Sequence, residues 1–355
     1  MIGGVLNAYG IGGSGTKYSQ FGNGLINHTW KVSASEGEFI LQKVNTDVFS
    51  NPRDISLNMA KIKSYLDRIA PDYLFVGPIS TKDGDSVFET NGCVFRLFPY
   101  VKDSVTIDEV RHEDQAYEAA KQFGKFTKLL HEYDPLNLKL PIKNFHNLPF
   151  RSLQYKNALL NANSDRKEKA KWAIEEINRH LGIVKEFDEI IKSRKLKLRV
   201  IHHDTKINNV LLDNITGNGI CVIDLDTVMP GYFISDVGDM MRTYLSPTNE
   251  NELDINNIEI RPDIFAAIYR GYMEEMDHVL SASEKELFIY SGKFMIFMQA
   301  LRFLTDFLEG DIYYKASVPN QNLNRAINQI VLLNKYIDQQ QAFEYIVQQW
   351  KYINS

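Results

Sequence analysis

Cysteine is nearly missing from this chain: Cys93 and Cys221 are the two among 355 residues, and both fall inside apolar runs. That placement reads as reduced, buried thiols of a cytosolic protein and gives no disulfide framework. Excess positive charge is missing too. Lys and Arg number 40 against 45 Asp and Glu, a formal net charge of -5, so nothing in the balance favours nucleic acid. A polyphosphate ligand would need local positive charge or a metal. No run approaches the roughly 20 apolar residues of a membrane-spanning helix. The opening residues MIGGVLNAYGIGG lack the basic-then-apolar order of a secretory leader, which leaves a cytoplasmic location as the expectation. Repeats and low-complexity linkers are absent as well. What remains is ordinary globular composition, 44% hydrophobic and 24% charged, in a chain long enough for two lobes.

Glycine clusters early. Residues 10–17, GIGGSGTK, resemble a Walker-type phosphate loop, but the order Gly15-Thr16-Lys17 is wrong for that motif, and a strand follows where a helix is required. They read as a flexible N-terminal segment. Next, a Gly-x-Gly turn at Gly22, Asn23 and Gly24 joins two paired strands, and residues 38–44 form a third strand carrying Gln42 and Lys43. Residues 54–69 have helical spacing, with Ile55, Met59, Ile62, Leu66 and Ile69 on one stripe. Strands are expected at 74–79 and 92–98 around the turn Lys82-Asp83-Gly84-Asp85, and the first lobe ends near residue 101. Helices are expected thereafter at 107–133, 147–161, 167–193, 262–280, 284–309 and 322–352. His146, in the aperiodic segment between the first two, reads as structural.

Between these helices lies VIHHDTKINNVLLDNITGNGICVIDLDTV, residues 200–228, a loop, strand, turn and strand. Apolar strands anchor its flanks, so His202, Asp204, Lys206, Asn209, Asp224 and Asp226 are delivered at strand ends. Singly, these residues have ordinary roles as turn formers, local hydrogen bonders and caps. Jointly, His-x-Asp-x-x-x-x-Asn followed by Ile-Asp-x-Asp has the spacing of a phosphoryl-transfer site. Such chemistry needs a carboxylate to orient the acceptor hydroxyl and oxygen ligands to hold Mg²⁺ on the phosphates. Asp204 is the base candidate, Asn209 and Asp224 the metal ligands, and Asp226 a metal or acceptor contact. His202 braces the loop. Zinc is a poor rival, because adjacent His202 and His203 point apart and no further ligands complete a tetrahedron.

The chain resembles the aminoglycoside/choline-kinase-like phosphotransferases, and within them the bacterial N-acetylhexosamine 1-kinases. The resemblance rests on FGNGLINHTWKV (21–32), FILQKVN (39–45), HHDTKINNVLLD (202–213), VIDLDTVMPG (222–231), DVGDMMR (236–242) and RFLTDFLEGDIYY (302–314). It implies an α+β, protein-kinase-like fold. A five-stranded antiparallel N-lobe with one helix, residues 1–101, precedes a larger, mainly helical C-lobe, residues 102–355. It also implies ATP with Mg²⁺ and phosphorylation of the anomeric hydroxyl of N-acetylglucosamine or N-acetylgalactosamine. Carried over by position, Asp204 is catalytic and Asn209 and Asp224 bind metal. Gly22, Asn23, Gly24 and Asn27 cover the phosphates, while Phe98, Tyr100 and Val101 form the hinge that receives adenine. Asp226, Arg302, Asp306, Asp311 and Tyr314 are candidate sugar contacts; Arg302 and Asp306 at i, i+4 spacing equally suit a surface ion pair.

One departure stands out. The position expected to hold a phosphate-binding lysine falls on Gln42, Lys43 faces the other way in a regular strand, and the following helix has no glutamate to pair with such a lysine. Either a bulge turns Lys43 inward, or Gln42 and other donors replace it. That gap motivates one alternative to a sugar kinase, a nucleotide-binding pseudokinase; the nearest rival in the same class is a kinase for another small alcohol such as choline or an aminoglycoside. A sulfatase is excluded, since neither cysteine begins a Cys-x-Pro-x-Arg sequence.

Overall fold

The computed structural model describes residues 2–13, 15–22, 27–49 and 51–353. In chain order its elements are α1 (Ile2–Ala8), β1 (Lys17–Gln20), β2 (His28–Ala34), β3 (Gly37–Val44), α2 (Pro52–Ile69), β4 (Phe88–Thr90), β5 (Cys93–Pro99) and β6 (Ser104–Val105). Then come α3 (Glu113–Leu129), α4 (Leu148–Asn161), α5 (Ser164–Lys169), α6 (Lys171–Arg179), α7 (Gly182–Lys192), β7 (Arg199–Ile201), β8 (Val210–Asp213), β9 (Gly219–Val222) and β10 (Met229–Gly231). The chain closes with α8 (Phe233–Tyr244), α9 (Pro262–Met276), α10 (Ala282–Lys285), α11 (Phe288–Glu309), α12 (Gln321–Asp338) and α13 (Gln340–Ile353). Two compact units divide it: residues 1–105, 132–143 and 211–230, and residues 106–131, 144–210 and 231–355.

In the first unit, β1 to β5 form an antiparallel sheet in the order β1-β2-β3-β5-β4. Alternation sorts its side chains. Val32, Leu41, Phe95 and Leu97 share one face and are buried against Val5, Leu6, Tyr9 and Ile11. This packing explains α1, whose two glycines give it little intrinsic helix propensity. Gln42 and Arg96 are direct cross-strand partners on the opposite face. Lys17 opens a strand, consistent with rejecting a Walker loop.

The strand expected at 74–79 does not form. Ile79 N donates to the Leu97 carbonyl at 2.7 Å, but no ladder develops, and the fifth strand is β4, paired through Phe88 and Phe95. Helix α2 starts with Pro52 at its first turn, and Ile55, Met59, Ile62 and Leu66 are buried as the stripe predicts. Ile69 is exposed, so the stripe ends one turn early. Within the same unit Asn58 of α2 donates to the Lys139 and Val228 carbonyls at 3.0 and 3.2 Å and accepts from Lys139 N at 2.8 Å. Through Asn58, α2 pins the segment that follows Asp224 and Asp226.

The second unit is helical. Helix α3 packs along α9, and α11, apolar on nearly all sides, lies among α4, α8 and α12. Four expected helices are cut differently. The one predicted from residue 107 starts at Glu113, behind a capping box of His112 and Gln115. The stretch 167–193 is three helices, and 284–309 and 322–352 are two each. Helix α8 was not anticipated. Its Gly238 meets α11 so closely that an added Cβ would collide with the Ser291 carbonyl. Gly238→Ala should therefore cost about 1–3 kcal/mol of stability by overpacking, read as a lower Tm.

Candidate active site

The chain from β7 to β8 is held by one helix. Asp236 and Asp239, one turn apart on α8, take up the backbone N–H groups that the loop leaves unpaired. His202 N and His203 N donate to the two Asp236 oxygens at 2.9 and 2.7 Å, and Thr205 N donates to Asp239 at 2.9 Å. Thr205 Oγ1 donates to the Asp236 carbonyl at 2.7 Å, and the Tyr244 hydroxyl donates to the Thr205 carbonyl at 2.6 Å. Arg242 bridges Asp239 at 2.9 Å and Glu250 at 2.8 Å, balancing the charge of this base. His203 sits in the left-handed region at φ 68°, a conformation that costs about 1–3 kcal/mol and persists only under such restraint.

Asp204 is thereby fixed from both sides. Its N–H donates to His202 Nδ1 at 3.3 Å, and its carbonyl accepts from Asn209 Nδ2 at 2.9 Å. His202, fully buried and edge-on to Phe123 and Phe126, braces the loop as expected. The Asp204 carboxylate is left a quarter exposed, 3.3 Å from the Lys206 ammonium. Burial acts to raise its pKa, but Lys206 and His202 outweigh that and hold the carboxyl below its ordinary value. Lys206, paired to Asp204, is correspondingly raised. The Asn209 amide N–H is engaged with the loop, so its Oδ1 is turned away from that carbonyl.

Asp224 and Asp226 belong to the first unit. Asp224 follows β9 in the left-handed conformation, φ 56° and ψ 60°. Asp226 is not a free acceptor contact. Arg96 grips it with two bonds of 2.6 and 2.9 Å, both side chains buried, and Asn27 Nδ2 adds a third at 3.1 Å. Arg96 Nη2 also donates to Gln42 Oε1 at 3.2 Å. Burial opposes charge on Arg96, yet Asp226, with Asp224 nearby, raises its pKa. Lys43 lies on the other sheet face, opposite Phe95 in a register without a bulge, so it does not share a site with Gln42.

Gly22 adopts φ 76°; Asn23 and Gly24 lie outside the described residues. Of the hinge candidates, Phe98 is buried beside Arg96, and Val101 accepts from the Ser104 hydroxyl at 2.7 Å. Tyr100 has Lys31 Nζ 3.6 Å above its ring and Phe21 edge-on at 6.2 Å.

In the helical unit the C-terminal candidates separate into two groups. Asp306 accepts from Tyr313 N at 2.7 Å, Tyr314 N at 3.0 Å and Asn322 Nδ2 at 3.0 Å. Asp311 pairs with Arg166 at 2.8 Å and accepts from Asn322 at 2.9 Å. Both carboxylates brace the turn at Gly310, φ 103°, where α11 stops. The i, i+4 ion pair with Arg302 is not formed. Arg302 instead donates to Gln299 at 3.1 Å and lies over the rings of Phe145, Tyr313 and Tyr314 at 5.2, 5.8 and 5.4 Å. Tyr314 accepts from Gln299 at 3.0 Å. His146 stacks on Phe145 and stands 3.2 Å from the ring of His203, the residue before Asp204. Burial, His203 and the guanidiniums of Arg302, Arg151 and Arg242 push the pKa of His146 well down, and burial with Arg302 lowers Arg151 to about 10. Sequence reading missed Arg96, Arg151, Asp236 and Asp239. Only the last two had a signal, in DVGDMMR.

An amide oxygen at Asn209 and a carboxylate at Asp224 are hard donors of the kind Mg²⁺ takes, whereas a soft metal would call for thiolate or imidazole. No helix among the described residues is long and apolar enough to cross a membrane. A profile of the phosphotransferase enzyme family matches residues 17–261. Among solved structures, a microcompartment-associated aminopropanol kinase aligns at TM-score 0.63 and 15% identity, over 95% of this chain and 97% of that one. Spectinomycin phosphotransferase in complex with ADP and spectinomycin aligns at 0.58 and 15%, over 93% and 98%. Choline kinase from Cryptosporidium parvum aligns at 0.55 and 14%, over 95% and 96%. Identity this low shows the kinase-like fold alone, and the family rests on the profile. With most of its length matched, this chain belongs to the phosphotransferase enzyme family of aminoglycoside- and choline-kinase-like small-molecule kinases.

Proposed function

We propose that this protein is an ATP- and Mg²⁺-dependent sugar 1-kinase that phosphorylates the anomeric hydroxyl of N-acetylhexosamines. One observation carries the choice of acceptor: Arg302 fills the aromatic cage beside the catalytic loop. A cage of Phe145, Tyr313 and Tyr314 would suit a quaternary ammonium such as choline, but it already holds this chain's own cation. Arg151 and His146 add donors nearby, and Asp306 and Asp311 are engaged with the turn. Such surroundings repel a cationic amine and favour a neutral ligand rich in oxygen acceptors. An N-acetylhexosamine offers ring hydroxyls and an amide carbonyl to guanidinium donors, and an apolar ring face to the aromatics.

Asp204 accepts a hydrogen bond from the sugar C1 hydroxyl and takes its proton as the oxygen attacks the γ-phosphorus of ATP. Held ionised by Lys206, it is a weak base whose main contribution is orientation, as suits a loose phosphoryl-transfer transition state. Asn209 and Asp224 would hold Mg²⁺, which would supply neutralisation of phosphate charge. The products are ADP and an α-linked sugar 1-phosphate.

An acceptor panel with coupled ADP detection tests this. Turnover is expected with N-acetylglucosamine or N-acetylgalactosamine; turnover with choline or an aminoglycoside and none with these sugars sinks the reading. Arg302→Met should raise the sugar KM about 10- to 100-fold, the loss of a charged hydrogen-bond donor, with a smaller change in kcat. An unchanged KM removes Arg302 from the acceptor site.

A further inference from the structure

We propose that Arg96 is a positioning residue that replaces the missing lysine–glutamate pair: its guanidinium orients Gln42 so that the Gln42 amide N–H groups meet the nucleotide phosphates. This rests on the kinase reading above. Gln42 occupies the strand position where the family resemblance expects a lysine, and Arg96 is its direct cross-strand partner on the face away from the α1 packing. A glutamine amide can present either its oxygen or its nitrogen to a ligand. The 3.2 Å bond from Arg96 Nη2 to Gln42 Oε1 fixes that choice, because the guanidinium is donor-only. The amide nitrogen, with its two N–H donors, is turned away from Arg96, and Gln42 is only partly buried whereas Arg96 is fully so. A contact to nucleotide therefore falls to Gln42.

Arg96 is itself fixed. Asp226 holds it through the 2.6 and 2.9 Å bonds, and Asn27, at the end of the loop expected to cover the phosphates, binds the same carboxylate and the backbone N of Asn45 at 3.0 Å. One fork thus ties β3, β5, the phosphate-loop terminus and the turn carrying Asp224. Lysine could supply the charge but not these simultaneous planar bonds. The arrangement also neutralises one of two carboxylates that would otherwise repel a polyphosphate. A plain structural ion pair accounts for the contact to Asp226 but not for the one to Gln42.

The test compares the affinities of ADP and adenosine, measured by calorimetry without metal, so that the difference reports the phosphate contacts alone. Gln42→Ala and Arg96→Lys should each weaken ADP about tenfold, the loss of one hydrogen bond to a charged group, and leave adenosine unchanged. Lys43→Ala should change neither. Because unpairing a buried carboxylate endangers folding, the double variant Arg96→Met/Asp226→Asn serves as a second probe and should show the same selective loss. The inference is overturned if Gln42→Ala or Arg96→Lys retains wild-type ADP affinity, or if Lys43→Ala loses it. Wild-type protein that binds neither ADP nor adenosine overturns the kinase reading itself, and this inference with it.

Discussion

Asp204→Asn should lower kcat by about 10²- to 10⁴-fold, the range that a positioned general base contributes, and leave Mg·ATP affinity unchanged. The substitution keeps size and shape, and the bonds that fix residue 204, from its N–H to His202 and to its carbonyl from Asn209, are backbone bonds that the variant retains. What it removes is the anionic acceptor that Lys206 holds ionised. Single-turnover rates with bound nucleotide, measured beside calorimetric affinity, separate the chemical step from binding. Activity equal to wild type would remove Asp204 from the mechanism.

Asp236→Ala should be the most damaging change outside the reacting groups. It strands the buried N–H groups of His202 and His203, each at a cost of about 1–3 kcal/mol, and frees the left-handed backbone at His203 just before Asp204. Both Tm and kcat should fall. The milder Asp236→Asn gives a pH signature. Burial raises Asp236 to about 7 from 3.8, against the two N–H bonds that lower it. A carboxyl raised in the folded state contributes stability that is fully present below its unfolded pKa and is lost as pH rises through the folded one. Between about pH 5 and pH 8 the wild type should lose about 2–3 kcal/mol from this group, and Asn at this position cannot titrate. The Tm gap between wild type and Asp236→Asn should therefore be wider at the acid end; a gap independent of pH contradicts the assignment.

The linear motifs were readable because their chemistry depends on short spacing. His202, Asp204 and Asn209 lie on one loop, and four of the sheet's five strands followed from alternation and turn residues. Arg96 was not readable. Its meaning comes from partners 54 and 130 residues away, through a cross-strand register that no local pattern states. Asp306 misled for the opposite reason: helical spacing to Arg302 suggested an ion pair, but Gly310 reverses the chain and brings the N–H groups of Tyr313 and Tyr314 onto the carboxylate first. Residues 74–79 had strand composition without a ladder to join, while three-residue β4 was too short to signal. Helix α1 shows tertiary packing overriding weak propensity.

The most direct test of the central claim is the identity of the product. Purified protein incubated with Mg·ATP and N-acetylglucosamine or N-acetylgalactosamine should give, by phosphorus NMR, one new phosphomonoester whose phosphorus couples to the anomeric proton, in amounts equal to the ADP formed. Phosphate on any other hydroxyl, or ADP release that does not depend on either sugar, would contradict it.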